Sequence, residues 1–241
     1  MTAYNNDGRF SGKMRSGSEF LESIRNDGRK VYYDGELVED VTTHPAFAEG
    51  ARTIARFFDV AADPANAELM TYPSPTTGNP ASRIWQMPYS VEDLEARRGA
   101  IERLSEETFG YMGRSPDHVA TFFVGFAAEP QVLAKNGRQD LADNAMNFYE
   151  FLRDNDAYIT YTIVPPQIDR SKPAHQQNPP DSYAGVVEER EDGIVIRGAQ
   201  MLGTGTVYSD FVQLSTITPM RPGDEAYAIS VAIPVWAEGV Q

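Results

Sequence analysis

Cysteine is absent from the 241 residues. That absence removes disulfides, zinc–thiolate sites, cysteine-held iron–sulfur clusters and cysteine nucleophiles from the chemistry open to the chain. Long apolar runs are missing as well. The opening Met1-Thr2-Ala3-Tyr4-Asn5-Asn6-Asp7 is polar, and no stretch nears the length that spans a membrane, so the expected setting is the cytoplasm. Positive charge is scarce: 21 Lys and Arg stand against 35 Asp and Glu, a formal net charge of −14. No basic cluster is dense enough to hold a phosphate backbone, and the acidic surface is repelled by anionic lipid. Neither nucleic acid nor a membrane is an expected partner. The sequence also lacks Gly-x-Ser-x-Gly, His-Glu-x-x-His and Gly-x-x-x-x-Gly-Lys. Gly203-Thr204-Gly205-Thr206 makes a small glycine loop, but no strand–helix context follows it, which disfavours a Rossmann site.

What is present reads as an ordinary globular protein, 41% hydrophobic and 23% charged, long enough for one large domain or two small ones. Helices dominate the first part. A short helix is predicted over 18–25, then a hairpin of 30–33 and 36–38 around Asp34-Gly35, a pair that supports positive φ. Thr43-His44-Pro45 is expected to start a helix running to about Val60, with His44 packing or capping rather than catalytic. Residues 61–80 read as loop, broken by Pro64, Pro73, Pro75 and Pro80, and 83–87 as a short strand. Ser90 caps the next helix, helped by Glu92 and Asp93. Its predicted buried stripe is Leu94, Ile101, Leu104 and Thr108, with Arg97 interrupting it and its head expected in water. A helix capped by Ser115 carries Phe122, Phe123, Phe126 and Ala127 toward the core. Another spans 138–153 on Leu141, Ala145, Phe148 and Leu152.

After Asp156 the pattern changes to short β-rich runs: 158–164, 183–190, 193–197, 208–217 and 227–235. Glu191-Asp192-Gly193 is a hairpin turn, and 171–181 a polar loop on which His175 is expected to be solvated. The fold class is therefore α+β: a mainly helical domain over 1–155 followed by a small antiparallel β domain over 156–241.

Two places carry chemistry. The strand at 158–164 stops at Pro165-Pro166, which remove backbone donors and force extended geometry. An amide, an acid and a guanidinium follow at once in Gln167-Ile168-Asp169-Arg170. This is either a ligand site on a rigid edge or a turn with solvated charges. The second place is Arg114 just before a helix start, with His118 in its first turn. A helix dipole, a guanidinium and an imidazole together suit a phenolate or a carboxylate. The alternative is a capping arginine beside an exposed histidine.

The run Tyr161-Thr162-Ile163-Val164-Pro165-Pro166-Gln167-Ile168-Asp169-Arg170 resembles the flavin-site segment of the 4-hydroxyphenylacetate 3-hydroxylase large-component family. That family includes chlorophenol monooxygenases and, more distantly, 4-hydroxybutyryl-CoA dehydratase. Asp40-Val41-Thr42-Thr43-His44-Pro45-Ala46-Phe47, Tyr111-Met112-Gly113-Arg114-Ser115-Pro116-Asp117-His118 and Gly198-Ala199-Gln200-Met201-Leu202-Gly203-Thr204-Gly205 are similar to family stretches in the same order. Together they span nearly the whole chain.

The resemblance implies an acyl-CoA dehydrogenase-like fold: helices, a β-barrel or sandwich domain, then a helical bundle that this chain lacks, as though it were the amino-terminal half. It implies FAD, used as FADH2 from a separate NAD(P)H-dependent reductase, O2 as co-substrate, and ortho-hydroxylation of a phenol through a flavin C4a-hydroperoxide. Homotetramers are usual for full-length members. Gln167, Ile168, Asp169, Arg170 and Thr204 match positions near the flavin, and Arg114 matches the arginine that meets the phenol. The family's tyrosine and histidine of that site appear exchanged here, as His118 and Tyr161, which leaves the acid–base roles open. The same resemblance admits a halophenol or nitrophenol monooxygenase, a CoA-thioester enzyme or a non-catalytic scaffold half-chain. The want of cysteine disfavours the dehydratase.

Overall fold

The computed structural model describes residues 8–241, and the polar opening of the sequence lies outside them. Helix α1 (Gly17–Ile24) starts on a capping box in which Ser16 Oγ accepts from Glu19 N and the Glu19 carboxylate accepts from Ser16 N. Strands β1 (Val31–Tyr33) and β2 (Glu36–Val38) form the expected hairpin. Asp34 and Gly35 turn it with φ of 51° and 84°, the geometry that follows the right-handed twist of paired strands.

Helix α2 (Ala48–Ala62) begins later than Thr43-His44-Pro45 predicts. The His44 carbonyl accepts from both Phe47 N and Ala48 N, so the segment before the helix is a separate turn. His44 itself packs between Tyr33 and Phe47. The stretch read as loop contains a helical turn, α3 (Ala67–Met70), and a small hairpin of β3 (Thr71–Pro73) and β4 (Pro80–Ser82). Its prolines, Pro73 and Pro80, stand opposite each other at the loop end, and the bond from Ser74 N to the Asn79 carbonyl closes the turn beyond them. The strand expected at 83–87 is a single 3-10 turn, Arg83–Trp85. Burial, not pairing, explains its apolar character: Ile84 and Trp85 are buried, and the Trp85 carbonyl accepts the Tyr72 and Tyr149 hydroxyls.

Helix α4 (Val91–Glu106) carries the Ser90–Asp93 capping box. It buries Ala100 and Leu104 but leaves Leu94 exposed. The Arg97 head turns inward rather than to water, donating to the Ile84 carbonyl at 3.1 Å and to Thr121 Oγ1 at 2.7 Å. Helix α5 (Asp117–Ala128) is preceded by Pro116 at the cap position, and Ser115 instead donates to the Asp117 carboxylate. Phe123 and Ala127 enter the core, whereas Phe122 and Phe126 lie at its exposed edge. Helix α6 (Gln139–Asp154) buries Ala142, Phe148, Tyr149 and Leu152, with Leu141 outside.

Strand β5 (Ile159–Thr162) follows. The hairpin β6 (Gly185–Arg190) and β7 (Gly193–Arg197) comes next, and then β8 (Phe211–Ser215) and β9 (Ser230–Pro234). The sheet order β5-β8-β9 is mixed: β5 runs parallel to β8, which is antiparallel to β9. The antiparallel expectation thus fails for β5, because the long connection holding the β6–β7 hairpin serves as the crossover that parallel pairing requires. No closed barrel forms among the described residues. The fold is α+β, with helices and small sheets sharing one apolar core that includes Phe20, Ile54, Trp85, Leu152, Tyr158 and Phe211.

Candidate active site

Strand β5 is rooted in that core and pinned at both ends. At its start, Tyr158 N donates to Asp210 Oδ2 at 2.7 Å. At its end, Thr162 Oγ1 donates to the Met201 carbonyl and Met201 N to the Val164 carbonyl, both at 2.7 Å. Between them, Thr160 Oγ1 lies 2.9 Å from Thr206 Oγ1. These bonds hold the 201–206 loop against β5. Gly205 is required there: its φ is 81°, and a Cβ would lie 2.7 Å from the Tyr158 hydroxyl.

The start of α5 faces the same place. Arg114, His118, Tyr161 and Thr204 line one cleft floored by Val119 and Ile159. Arg114 Nη1 donates to His118 Nε2 at 2.5 Å. The guanidinium lies 5.2 Å from the Tyr161 ring centre, within cation–π range. The His118 and Tyr161 ring centroids are 5.4 Å apart, and Phe122 lies 5.2 Å from the first and 5.7 Å from the second. The two residues whose identities are exchanged relative to the resemblance are therefore neighbours on one wall.

Partial burial and then the Arg114 charge lower the His118 pKa below the ordinary imidazole value. A neutral ring fits the geometry: Nε2 accepts from Arg114, which places the proton on Nδ1. The local positive charge thus resides on Arg114.

The segment after the double proline lies elsewhere. Gln167, Asp169 and Arg170 are exposed and Ile168 is half-buried. Asp169 Oδ1 accepts from Ser171 N at 3.0 Å and Ser171 Oγ at 2.6 Å, and these bonds hold its carboxyl below the usual range. Arg170 lines a second cavity, about 250 Å³, with Lys172, Arg221 and Tyr183. The structure therefore brings together Arg114, His118, Tyr161 and Thr204, and sets Arg170 at a separate, cation-rimmed cavity. Arg221 carried no local signal in the sequence.

His175 is exposed, as expected, but it is also anchored. Its Nδ1 lies 2.8 Å from Asp224 Oδ1, and that buried carboxylate also accepts from the backbone N–H groups of His175 and Arg221. A histidine and an aspartate 49 positions apart leave no spacing pattern to read.

The family model described as 4-hydroxyphenylacetate 3-hydroxylase N terminal matches residues 16–241. The chain belongs to this family. It is 35% identical to the 4-hydroxyphenylacetate 3-monooxygenase oxygenase component of Geobacillus sp. (strain PA-9), over 94% of this chain and 46% of that protein. It is 33% identical to the 4-nitrophenol 2-monooxygenase oxygenase component of Rhodococcus sp., over 94% of this chain and 42% of that one. Among solved structures, the oxygenase component of 4-hydroxyphenylacetate 3-monooxygenase complexed with FAD and 4-hydroxyphenylacetate superposes with a TM-score of 0.82. That match has 34% identity and covers 93% of this chain and 46% of the other. A 4-hydroxybutyryl-CoA dehydratase from N. maritimus shares the fold at a TM-score of 0.81 and 25% identity. The hydroxylase-family chain thus spans about half the length of the relatives it matches. No helix among the described residues is long and apolar enough to cross a membrane.

Proposed function

We propose that this chain is the amino-terminal part of the oxygenase component of a two-component aromatic monooxygenase, which hydroxylates a phenol ortho to its hydroxyl. The observation that carries this reading is the convergence of Arg114, His118 and Tyr161 on one cleft, from a helix start and a strand far apart in sequence. The architecture it belongs to is acyl-CoA dehydrogenase-like, with the helical part ending near residue 155 and the β part following. Full-length relatives would add a helical bundle and assemble as tetramers in the cytoplasm.

The residues present fit a flavin. Arg170, Lys172 and Arg221 around one cavity supply cations for a diphosphate. Gln167 and Thr204 offer an amide and a hydroxyl of the kind that bond ring carbonyls. FADH2, supplied by a separate NAD(P)H-dependent reductase, would with O2 furnish the oxygen that is transferred. The chain's own task is to hold and polarise the phenol. Arg114 donates to the phenol oxygen and stabilises its anion, which raises the electron density of the ring at the ortho carbon. When Arg114 turns from His118 to that oxygen, Nε2 is freed to accept the phenol proton.

The test is an anaerobic titration of the purified chain with FADH2, followed by 4-hydroxyphenylacetate, read by fluorescence. Saturable flavin binding, and phenol binding that Arg114→Ala weakens at least roughly tenfold, is the expected result. Absence of both, in this chain and in one extended to its relatives' full length, would overturn the reading.

A further inference from the structure

Leu202 is the large apolar side chain of the cleft that stands open to solvent, 72% exposed, while Val119 and Ile159 on the floor are buried. Its backbone is left-handed, with φ of 64°, a conformation that a leucine holds only when its surroundings impose it. Both flanks impose it here. Met201 is bonded to Val164 and Thr162, and the Gly203 carbonyl accepts from Thr206 N at 3.0 Å. Glycine would take this turn without strain. Leucine keeps an isobutyl group at the mouth of the cleft instead.

The cleft has a volume of about 10 Å³, the room of a single water molecule. An aromatic ring needs more, so a lining side chain must yield. Arg114 is kept in the cleft by its role toward the phenol oxygen, and Tyr161 is packed against His118 and Phe122. Leu202 makes no polar contact through its side chain and is already outside the core, so it yields at least cost.

We propose that Leu202 is the specificity-determining cap of this cleft, covering the bound ring and favouring phenols with an apolar ring substituent, a halogen or a short alkyl group. The inference rests on the reading of the cleft as a phenol site. Arg114 serves the oxygen end, and the isobutyl group supplies an exposed aliphatic contact in the cleft that the Tyr161 ring also lines. Burying Leu202 under a substituent excludes water from both surfaces, and each buried methylene adds affinity.

The experiment compares the affinities of phenol, 4-chlorophenol and 4-ethylphenol, by calorimetry, for the full chain and for Leu202→Ala, Leu202→Met and Arg114→Ala. Residue 202 is exposed, so its variants should fold as the parent does, and circular dichroism checks this. The parent is expected to bind the substituted phenols roughly tenfold tighter than phenol. Leu202→Ala should erase most of that ratio while weakening phenol itself less than about threefold, and Leu202→Met should keep it. An unchanged ratio in Leu202→Ala, with Arg114→Ala weakening every phenol, overturns the cap and leaves the phenol site standing. If the parent binds no phenol, or Arg114→Ala has no effect, the phenol site falls and the cap with it.

Discussion

Arg15 and Asp210, 195 positions apart, meet in a buried bidentate pair with Nη2–Oδ2 at 2.6 Å and Nη1–Oδ1 at 3.3 Å. Arg15 is 5% exposed and Asp210 1%. The same carboxylate accepts Tyr158 N, and the same guanidinium donates to the Asp156 carbonyl at 2.8 Å. The pair therefore anchors the start of β5, the strand that delivers Tyr161 to the cleft. Removing one partner strands a charge in the core. Arg15→Ala is expected to lower stability by about 3–5 kcal/mol, seen as a large drop in the urea midpoint. An Arg15→Met, Asp210→Leu double variant should recover much of that loss, since a buried pair and apolar residues of similar volume are often comparable. A loss below about 1 kcal/mol for Arg15→Ala, the value of an exposed pair, would contradict the anchoring role.

Asp156 sits beside this pair, and desolvation pushes its carboxyl up to about 6 despite the opposing Arg15 charge. A raised carboxyl pKa means the folded state keeps a proton that the unfolded chain has released. From the ordinary value of 3.8 up to about 6, this group makes stability fall as pH rises, and above that window its cost is complete. The shift corresponds to roughly 3 kcal/mol at 1.36 kcal/mol per unit. His118 acts in the opposite sense. Its lowered pKa favours folding with a neutral ring, a contribution present above the ordinary imidazole value and eroded as pH falls below it. Asp156→Asn keeps the acceptor and tolerates the left-handed φ of 48°. It should exceed the parent in stability at pH 7.5 and converge with it near pH 4, measured by urea unfolding at both. A constant difference across that range would show that Asp156 does not titrate in this way.

What could be read before the structure was local. The Ser90 cap, the Asp34-Gly35 turn and the β6–β7 hairpin are specified within a few residues of themselves, and each is present. Arg114 and His118 were legible because the Ser115-Pro116 start signal lies between them, setting the guanidinium just before the helix and the imidazole in its first turn. The misreadings came from distant partners. Arg97 turns inward because Ile84 and Thr121 wait there. The β5–β8 pairing is parallel because a hairpin occupies the connection. Ile84 and Trp85 suggested a strand, yet burial alone accounts for them. Leu202 could not be foreseen, since intrinsic preference puts glycine, not leucine, at positive φ.

The Ser90 box gives a prediction with an internal control. Ser90 Oγ accepts from Asp93 N at 3.1 Å, and Asp93 Oδ2 accepts from Ser90 N at 3.1 Å. Ser90→Ala removes the first bond and keeps the second, so a loss of about 1 kcal/mol is expected. Ser90→Asp restores a capping acceptor, one bond farther from the backbone, and should recover most of it. Thermal unfolding of the three proteins decides this, and equal midpoints for Ser90→Ala and the parent would refute the cap's contribution.

The bond from Arg114 to His118 makes a prediction about one proton. If Nη1 donates to Nε2, the neutral ring must carry its hydrogen on Nδ1. The chain has only three histidines, so the nitrogen resonances of each imidazole can be assigned by single substitutions. His118 should show the Nδ1–H tautomer and titrate below the ordinary imidazole value. Arg114→Gln removes the second of the two causes of that shift but leaves burial, the first. Its His118 should therefore titrate higher than in the parent while remaining below the ordinary value. Adding a phenol to the parent should draw Arg114 to the phenol oxygen and release Nε2, changing the tautomer signal. In Arg114→Gln the same addition should leave it unaltered. An Nε2–H tautomer in the free parent protein would mean that Arg114 does not hold His118, and that the imidazole reaches a phenol proton by another route.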